Sequence, residues 1–368
     1  MSIQERKKDH IRLSLREDVQ YRQSNGLDRF ELSHNALPEV DFDDVSTETL
    51  LFGRTFSLPL FISSMTGGYG GASSINAQIA RVCQDRNLPF GVGSQRALLE
   101  SVAGNHDNSS SKDLQSIQKS YSIVRKYAPD AFIAANIGGV QLRTADISRL
   151  LDVIIGSIHA NAVIVHLNPL QELMQPEGDR NFKGVLEGIR QLCDLATVPV
   201  IVKETGAGIS GQAAERLLDA GVDAIDVAGA GGTSWAKIEN LRHDSIEELS
   251  ETGNDLFSDW GTDTATCLQD IQKLRSKNAR SKNAQSKHAF SLIASGGIVT
   301  PIDVLKSICL GADMAASAGL VLKTLMNDGE QGLHKLFDRW EYQLRIALTL
   351  TGCRRISDCS PNLLRPAS

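Results

Sequence analysis

Short apolar runs alternate with helical stretches along most of this chain, and each run ends in a polar or glycine-rich turn. Strands that alternate with helices form right-handed units around a parallel sheet, and eight such units favour a closed barrel. The pattern therefore predicts an α/β fold, a (β/α)8 TIM barrel with a C-terminal helix over residues 58–368. The eight predicted strands lie at residues 58–64, 89–93, 131–135, 163–168, 199–202, 224–227, 291–294 and 314–316.

An open, doubly wound sheet is the alternative arrangement of the same elements. That fold carries a glycine-rich fingerprint with the spacing GxGxxG directly after its first strand. The turn after the first predicted strand reads Met-Thr-Gly-Gly-Tyr-Gly-Gly over residues 65–71, and it lacks this spacing. The closed barrel is therefore the preferred prediction.

Two segments extend the predicted barrel. Residues 1–57 precede it as an N-terminal arm, in which a charged helix is predicted to run to about Arg22. Residues 228–290 form a long insertion between the sixth and seventh strands, and its first part follows a strand end where a lid would lie. Helices are predicted near residues 246–249 and from Thr264.

Two further patterns describe the rest of the chain. The tandem Ser-Lys-Asn-Ala sequence within residues 276–284 predicts a solvated loop away from the chemistry. A last helix is predicted from Gly329 until Gly352 stops it, since its apolar residues recur at every third or fourth position. These residues are Leu333, Leu336, Phe337, Trp340, Leu344 and Leu348.

Polar side chains gather where the fourth predicted strand ends. Pro169 cannot lie inside a central strand, so the strand ends near Asn168. His166, Gln171 and Glu172 lie close by in sequence. Enzymes with this fold place their chemistry at the carboxyl ends of the strands, whereas the simpler explanation is an ordinary polar loop. Similar groups at other strand ends favour an active site.

Glycines and donors at the other strand ends predict a cofactor with a phosphate tail. Gly296-Gly297 and Ala318-Gly319 follow the seventh and eighth strands, where this fold usually binds phosphate through backbone N–H groups. Lys203 ends the fifth strand, although a lysine there is equally often only a salt-bridge partner. With donors at Thr66, Ser94 and Asn136, the set suits a wide, flat ligand and fits FMN better than a small sugar phosphate.

A second anion site is predicted from Arg96 together with Arg6 and Lys7 of the arm. A guanidinium group offers two parallel donors to phosphate. Taken alone, the basic arm is more simply a solvated helix face. Glu172 is the carboxylate of the fourth-strand cluster and is a candidate general base or Mg²⁺ ligand, since Mg²⁺ takes one or two carboxylates beside substrate phosphates. No histidine and cysteine spacing indicates zinc, and no GxSxG elbow occurs.

Bulk composition excludes several classes of function. The chain of 368 residues has a formal net charge of −6 and 22% charged residues, which does not suggest binding to nucleic acid or a membrane surface. The polar N-terminus is not expected to be a secretory signal, and no apolar run is long enough to span a bilayer. Six scattered cysteines without a CxxC pair predict reduced thiols in a cytoplasmic protein.

Short motifs in a fixed order carry a family resemblance. Each motif by itself is common, but together and in this order the motifs span most of the chain. In this respect the sequence resembles the type 2, FMN-dependent isopentenyl-diphosphate isomerases. The sequence departs from the family pattern in the tandem Ser-Lys-Asn-Ala segment and at Ala228, where relatives often have serine. Neither departure removes a proposed catalytic group. The motifs read Arg6-Lys7 with His10, Met65-Thr66-Gly67-Gly68, Ser94-Gln95-Arg96, Asn136-Ile137-Gly138, His166-Leu167-Asn168 with Gln171-Glu172, Lys203-Glu204, Gly231-Gly232-Thr233-Ser234-Trp235, Trp260-Gly261 and Ser295-Gly296-Gly297.

The resemblance implies reversible isomerisation of isopentenyl diphosphate to dimethylallyl diphosphate in isoprenoid biosynthesis. Reduced FMN would act as acid and base without net redox change, Mg²⁺ would bind the diphosphate, and NADPH would reduce the flavin. A tetramer or octamer would be expected. Gln171 would assist the proton step, and Glu172 would hold the metal. Substrate contacts are implied at Arg6, Lys7, Ser94, Gln95, Arg96, His166, Asn168 and Gln171, and FMN contacts at Met65, Thr66, Gly67, Ser94, Asn136, Lys203, Thr233, Gly296, Gly297, Ala318 and Gly319.

Two other functions remain open on sequence alone. An FMN-dependent oxidase or dehydrogenase of α-hydroxy acids would need a histidine base and two arginines late in the chain. His243 is the histidine between Lys237 and His288, and it is not at a predicted strand end. The other alternative is a barrel that binds a flavin or a phosphate ligand without catalysis.

Overall fold

Eight parallel strands form a closed barrel, which confirms the predicted fold. The computed structural model describes residues 3–102, 111–243, 254–280 and 290–367. Each predicted strand is present, in the predicted order around the barrel. The strands are β1 (Leu60–Ile62), β2 (Phe90–Gly91), β3 (Ile133–Gly138), β4 (Ala162–Leu167), β5 (Val200–Glu204), β6 (Ala224–Asp226), β7 (Ser291–Ala294) and β8 (Met314–Ser317).

Helices surround the barrel and cover its strands. None of the helices in the described part of the chain is both long enough and apolar enough to cross a membrane. The helices of the described residues are α1 (Ile3–Ser14), α2 (Ala72–Arg86), α3 (Arg96–Val102), α4 (Ser111–Tyr127), α5 (Ile147–Gly156), α6 (Pro169–Met174), α7 (Val185–Leu195), α8 (Gly211–Asp219), α9 (Trp235–His243), α10 (Thr264–Arg280), α11 (Pro301–Cys309) and α12 (Gly319–Thr351).

The register of the central strands brings their polar ends level. His166 on β4 lies opposite Gly138 on β3 and Lys203 on β5, and Lys203 lies opposite Asp226 on β6. Pro169 is the first residue of α6, where its missing N–H costs no helix hydrogen bond. The fourth strand therefore ends as predicted, and its polar residues start a short helix at the rim.

A hairpin fills the opposite end of the barrel. Its strands, Thr49–Leu51 and Arg54–Phe56, pair antiparallel and place Leu51 and Phe56 in a buried apolar cluster. The rings of Phe56 and Phe132 meet edge to face at 5.7 Å. Apolar packing at this end stabilises the barrel, so the chemistry is left to the carboxyl ends of the strands.

The N-terminal helix ends earlier than predicted. It stops at Ser14 and not near Arg22, because the following residues pair with the turn after β6. Tyr21 N donates to Gly232 O at 2.8 Å, and Ser234 N donates to Val19 O at the same distance. This tertiary pairing overrides local helix preference and carries α1 across the mouth of the barrel.

The insertion after β6 is partly helical. The predicted helix near residues 246–249 and the second copy of the tandem repeat lie outside the described residues. The first copy continues α10 as far as Arg280, so the loop prediction was wrong there. Gly329 has a φ of +66° that kinks α12, and the helix predicted from this residue ends at Gly352 in the left-handed region, as expected. All six cysteines are free thiols.

Candidate active site

A cavity of about 540 Å³ opens at the carboxyl ends of the barrel strands. The turns after all eight strands contribute to its wall, as do residues of the N-terminal helix. The cavity brings together almost the whole predicted site. The predicted residues that line it are Arg6, Lys7, Met65, Thr66, Gly67, Ser94, Arg96, Asn136, His166, Asn168, Gln171, Glu172, Lys203, Thr233, Gly296, Gly297, Ala318 and Gly319.

Gln95 is the predicted site residue that does not line the cavity. Its side chain is fully buried between elements of the barrel. The amide nitrogen donates to Ile154 O at 3.0 Å, and the amide oxygen accepts from Asn136 N at 2.9 Å. Gln95 therefore holds the end of β3 against α5, and the structure does not bring it to the phosphate-binding position that the sequence predicted.

Two glycine turns meet backbone to backbone on one side of the cavity. A Cβ on Gly232 would lie 2.7 Å from Gly297 N, and a Cβ on Gly296 would lie 2.0 Å from Gly229 O. Glycine is needed here for space as well as for the φ of +100° at Gly296. These turns and the start of α12 line the wall, and backbone N–H groups at such a turn and helix start are the usual donors to a phosphate.

Gly296→Ala tests how much this wall depends on glycine. We expect a loss of about 2 to 3 kcal/mol in the free energy of unfolding, because the methyl group must displace Gly229 while the backbone stays in the left-handed region. FMN affinity should fall as well. Gly53→Ala is the matched control, since Gly53 has a φ of +74° but a Cβ there would meet no heavy atom within 4 Å. It should cost about 1 kcal/mol, and equal losses in the two variants would contradict the close approach.

Arg6, Lys7 and Arg96 form a cationic corner of the cavity. Arg6 lies 3.7 Å from Glu177 and donates to Gln175 Oε1 at 3.2 Å. Arg96 donates to Glu100 Oε1 at 2.8 Å. Glu177 is exposed and Glu100 is half-buried, and neither lines the cavity, whereas both arginines do. Part of each guanidinium group therefore remains available to an anion in the cavity.

The polar cluster after β4 is buried and tightly paired. Asn168 Nδ2 donates to Gln171 Oε1 at 3.2 Å and to Glu172 Oε1 at 3.1 Å. The other oxygen of Glu172 accepts from Asp179 N at 2.8 Å. Each carboxylate oxygen retains a further lone pair, so Glu172 can also bind a cation in the cavity. Among the described residues, no group of three acidic, histidine or cysteine side chains could hold a metal alone.

Glu239 of α9 organises this cluster and was not predicted. Its carboxylate is fully buried and lies 2.9 Å from His10 Nε2. It also accepts from Gln171 Nε2 at 3.1 Å and Gln175 Nε2 at 2.7 Å, and it pairs with Arg242. Burial alone would raise the pKa of Glu239, but the bond to His10 and the charge of Arg242 lower it to about 2. The sequence hint was the three-residue spacing of Glu239 and Arg242 directly after the Trp235 motif.

His166 is held as a neutral ring. Asn136 Nδ2 donates to Val92 O at 3.1 Å, which leaves Asn136 Oδ1 to accept from His166 Nδ1 at 2.8 Å. The Nε2 atom therefore carries the lone pair. Burial, and then the positive charge of Lys203, lower the pKa of His166 to about 3. The ring is thus a hydrogen-bond acceptor and a weak base at neutral pH.

Lys203 is buried at the end of β5 and faces the cavity. Its Nζ donates to Glu204 O at 2.8 Å and lies 3.6 Å from Asp226 Oδ2. Glu204 points away and accepts from the backbone N–H groups of the next loop, including Gly208 N at 3.3 Å. Burial raises the pKa of Glu204 to about 7 in spite of these bonds. The loop after β5 is fixed in this way, and Lys203 lines the cavity beside it.

Known proteins resemble this chain in sequence and in structure. The family model of the FMN-dependent dehydrogenases matches residues 9–126 and 166–366. An isopentenyl-diphosphate delta-isomerase of Chlorobium luteolum is 41% identical over 98% of this chain and 95% of that protein. One of Nostoc sp. is 41% identical over 95% of this chain and 92% of that protein.

Solved structures with much lower identity share the fold. A lactate oxidase of Pediococcus acidilactici has a TM-score of 0.67 at 16% identity, with 99% of this chain and 93% of that chain covered. A flavocytochrome b2 with bound sulfite has the same TM-score and identity, with 95% and 80% covered. The sequence relatives cover nearly the full length on both sides, so the chain belongs to the FMN-dependent class of the isopentenyl-diphosphate delta-isomerase family.

Proposed function

We propose that this protein isomerises isopentenyl diphosphate to dimethylallyl diphosphate with the help of reduced FMN. The observation that carries the proposal is the shared cavity, in which a wall of glycine turns faces a cationic corner built partly by the N-terminal helix. A flavin accounts for the first feature, and a diphosphate accounts for the second. The named relatives support this interpretation of the cavity.

The residues present fit FMN. The glycine turns at Gly296-Gly297 and Ala318-Gly319 would hold its phosphate, and Thr66, Asn136 and Lys203 would hold the ring system. The buried hydroxyl group of Ser64 has no hydrogen-bond partner among the described residues, so a donor is left for a ligand on this side. In its reduced form, bound FMN would supply an electron-rich ring system able to give a proton to the alkene and to take one back. We also propose NADPH as its reductant.

The cationic corner and the fourth-strand cluster would bind the diphosphate. Arg6, Lys7 and Arg96 supply positive charge, and Ser94 and Asn168 supply neutral donors. Glu172 would hold Mg²⁺, because a single carboxylate together with water and phosphate oxygens satisfies this ion. The substrate would thus be tied to the barrel through its charged end.

Gln171 would touch the reacting carbon chain of the substrate. Its amide is oriented at both ends, since the nitrogen donates to Glu239 and the oxygen accepts from Asn168. Because both ends of the amide are hydrogen-bonded, Gln171 would assist the proton step by holding a fixed orientation beside the reacting carbons, without carrying the proton itself. Trp235 and Ile11 add apolar surface to the same cavity, which excludes water from the hydrocarbon part of the substrate.

Oxidation of an α-hydroxy acid is the second candidate, because the solved structures that share the fold are such oxidases. Their identity is below one fifth, so they support the barrel and not the reaction. Hydroxy-acid oxidation needs a histidine that takes up a proton near neutral pH. Among the described residues, His10 and His166 are the histidines of the cavity wall, and the pKa of His166 is about 3.

An anaerobic assay tests the proposal. Protein loaded with FMN should absorb in the visible range, bleach with dithionite or NADPH, and then convert isopentenyl diphosphate when Mg²⁺ is present. A chelator should stop the reaction and leave FMN bound. Oxidised protein serves as the control and should be inactive. Failure of the reduced, metal-supplied protein to form dimethylallyl diphosphate would refute the proposed function.

We further propose a homo-oligomer, a tetramer or octamer, in the cytoplasm, as the family resemblance implies. Mass measurement in solution tests the first of these points.

A further inference from the structure

The amine of Lys7 lies in a slot made by neutral groups. Its Nζ donates to Ser94 O at 2.9 Å and to the hydroxyl oxygen of Tyr121 at 3.1 Å. The same Nζ lies 5.8 Å from the centre of the Tyr121 ring. These contacts join α1 to α4 and to the turn after β2.

The slot is rigid because Tyr121 is completely buried. Its hydroxyl group donates to Ser94 O, and its ring occupies the space that a Cβ on Gly67 would need, at 2.2 Å. A Cβ on Gly68 would lie 2.6 Å from Lys7 Nζ. The two glycines therefore make room for the ring and the amine, and Tyr121 fixes where the amine stands.

The charges around this slot are mostly positive. Arg6 adjoins Lys7 on α1, and Arg96 lies on α3. Glu100, also on α3, is the acidic group that faces the amine, but it is paired with Arg96 at 2.8 Å. Lys7 has no carboxylate within 4 Å in the described part of the chain. Burial raises the pKa of Tyr121, so its hydroxyl group stays neutral.

A neutral amine satisfies this slot as well as an ammonium group does. A neutral amine has two N–H bonds and one lone pair on Nζ, whereas an ammonium group has three N–H bonds. Two N–H bonds are enough to reach Ser94 O and the Tyr121 oxygen. The third position on Nζ can be a lone pair while the cavity holds no anion. Burial, and then the charge of Arg6, lower the pKa of Lys7 to about 7, which agrees with this count of bonds.

We propose that Tyr121 and the Ser94 carbonyl hold Lys7 as a proton acceptor, so that a diphosphate ligand enters the cavity together with one proton that becomes bound to Lys7 Nζ. The new N–H bond then points to a phosphate oxygen. Lys7 is therefore positively charged only when the bound anion lies beside it. Tyr121 is a positioning residue that acts through Lys7. The inference rests on the proposed function, since it takes the cationic corner as the diphosphate site.

Titration calorimetry counts this proton. FMN-loaded protein is titrated with isopentenyl diphosphate and Mg²⁺ in two buffers of different ionisation enthalpy. We expect an uptake at Lys7 of about 0.9 proton per site at pH 8 and about 0.5 at pH 7. Lys7→Arg keeps the charge but cannot lose its proton, so its value at each pH gives the contribution of the ligand alone. Equal proton counts for the wild type and Lys7→Arg at pH 8 would overturn the inference.

Two further measurements keep the test decisive. If Lys7→Arg does not fold, the dissociation constant of the wild type should rise about tenfold per pH unit above pH 8, and a flat profile would overturn the inference. Tyr121→Phe should raise KM for the diphosphate substrate several-fold and leave kcat and FMN affinity within twofold, whereas a purely structural role would lower FMN occupancy as well.

Inorganic diphosphate separates the inference from the proposed function. Uptake of the same proton with this probe, combined with no binding of isopentenyl diphosphate, would support the inference and refute the function. Binding of both ligands without proton uptake at Lys7 would refute the inference and leave the proposed function supported. If neither ligand binds, the cationic corner is not a diphosphate site and both are overturned.

Discussion

Glu172→Gln should lower the rate of isomerisation by at least about 100-fold while the protein still binds FMN. The substitution removes the single carboxylate that the fourth-strand cluster offers to Mg²⁺. The amide keeps the shape of the side chain, and its single oxygen can keep one of the two hydrogen bonds, either from Asn168 or from the Asp179 backbone. Without this carboxylate, the metal-bound diphosphate would lose its interaction with Glu172 and would be held less firmly in the cavity.

Steady-state kinetics at several Mg²⁺ concentrations, together with the visible spectrum of the bound flavin, measure this effect. Glu187→Gln is the matched control, because Glu187 lies on α7 with its side chain 63% exposed and should keep full activity. Full activity in Glu172→Gln at low Mg²⁺ would show that this carboxylate does not hold the metal. Loss of FMN together with activity would indicate a general structural failure of the site.

Glu239→Gln should lower the free energy of unfolding by about 3 kcal/mol and reduce kcat as well. Removal of this charge leaves Arg242 and His10 without their buried anion. Gln171 and Gln175 would also face an amide in place of a carboxylate. Chemical denaturation of FMN-loaded protein measures the first effect, and the anaerobic assay measures the second.

Glu177→Gln provides the comparison for this variant. Glu177 pairs with the same Arg242, but its side chain is 40% exposed, so its loss should cost less than about 1 kcal/mol. A pH series adds a second check. Because the pKa of Glu239 is lowered to about 2, its stabilising effect is complete above its ordinary value of 4.5 and is lost as the pH falls toward 2. A difference between wild type and Glu239→Gln that stays constant down to pH 2 would contradict the role of its charge.

The sequence was sufficient to predict the barrel and most of the residues at its rim. Pro169 marked the end of β4, and the glycine pairs marked the turns after β7 and several other strands. These signals are local, because the end of a strand is marked in the sequence by a change from apolar residues to polar residues or glycine. Closure of the barrel then brings all such ends to one place.

Contacts between distant segments could not be predicted in this way. The early end of α1 depends on pairing between Tyr21 and Gly232, which are far apart in sequence. Gln95 stands between two site residues in sequence, yet its side chain turns into the wall toward α5. Glu239 belongs to a segment that sequence analysis assigned to a lid, and its partners come from α1 and α6. In each of these cases, a contact with a residue distant in sequence determines the structure, and the local sequence pattern does not.

The most direct test is to follow the flavin and the substrate in the same anaerobic reaction. Isomerisation without net redox change predicts many molecules of dimethylallyl diphosphate for each FMN, while the absorbance spectrum remains that of reduced flavin from beginning to end. Reoxidation of the flavin in step with consumption of substrate, or product that stops at one molecule per flavin, would contradict it.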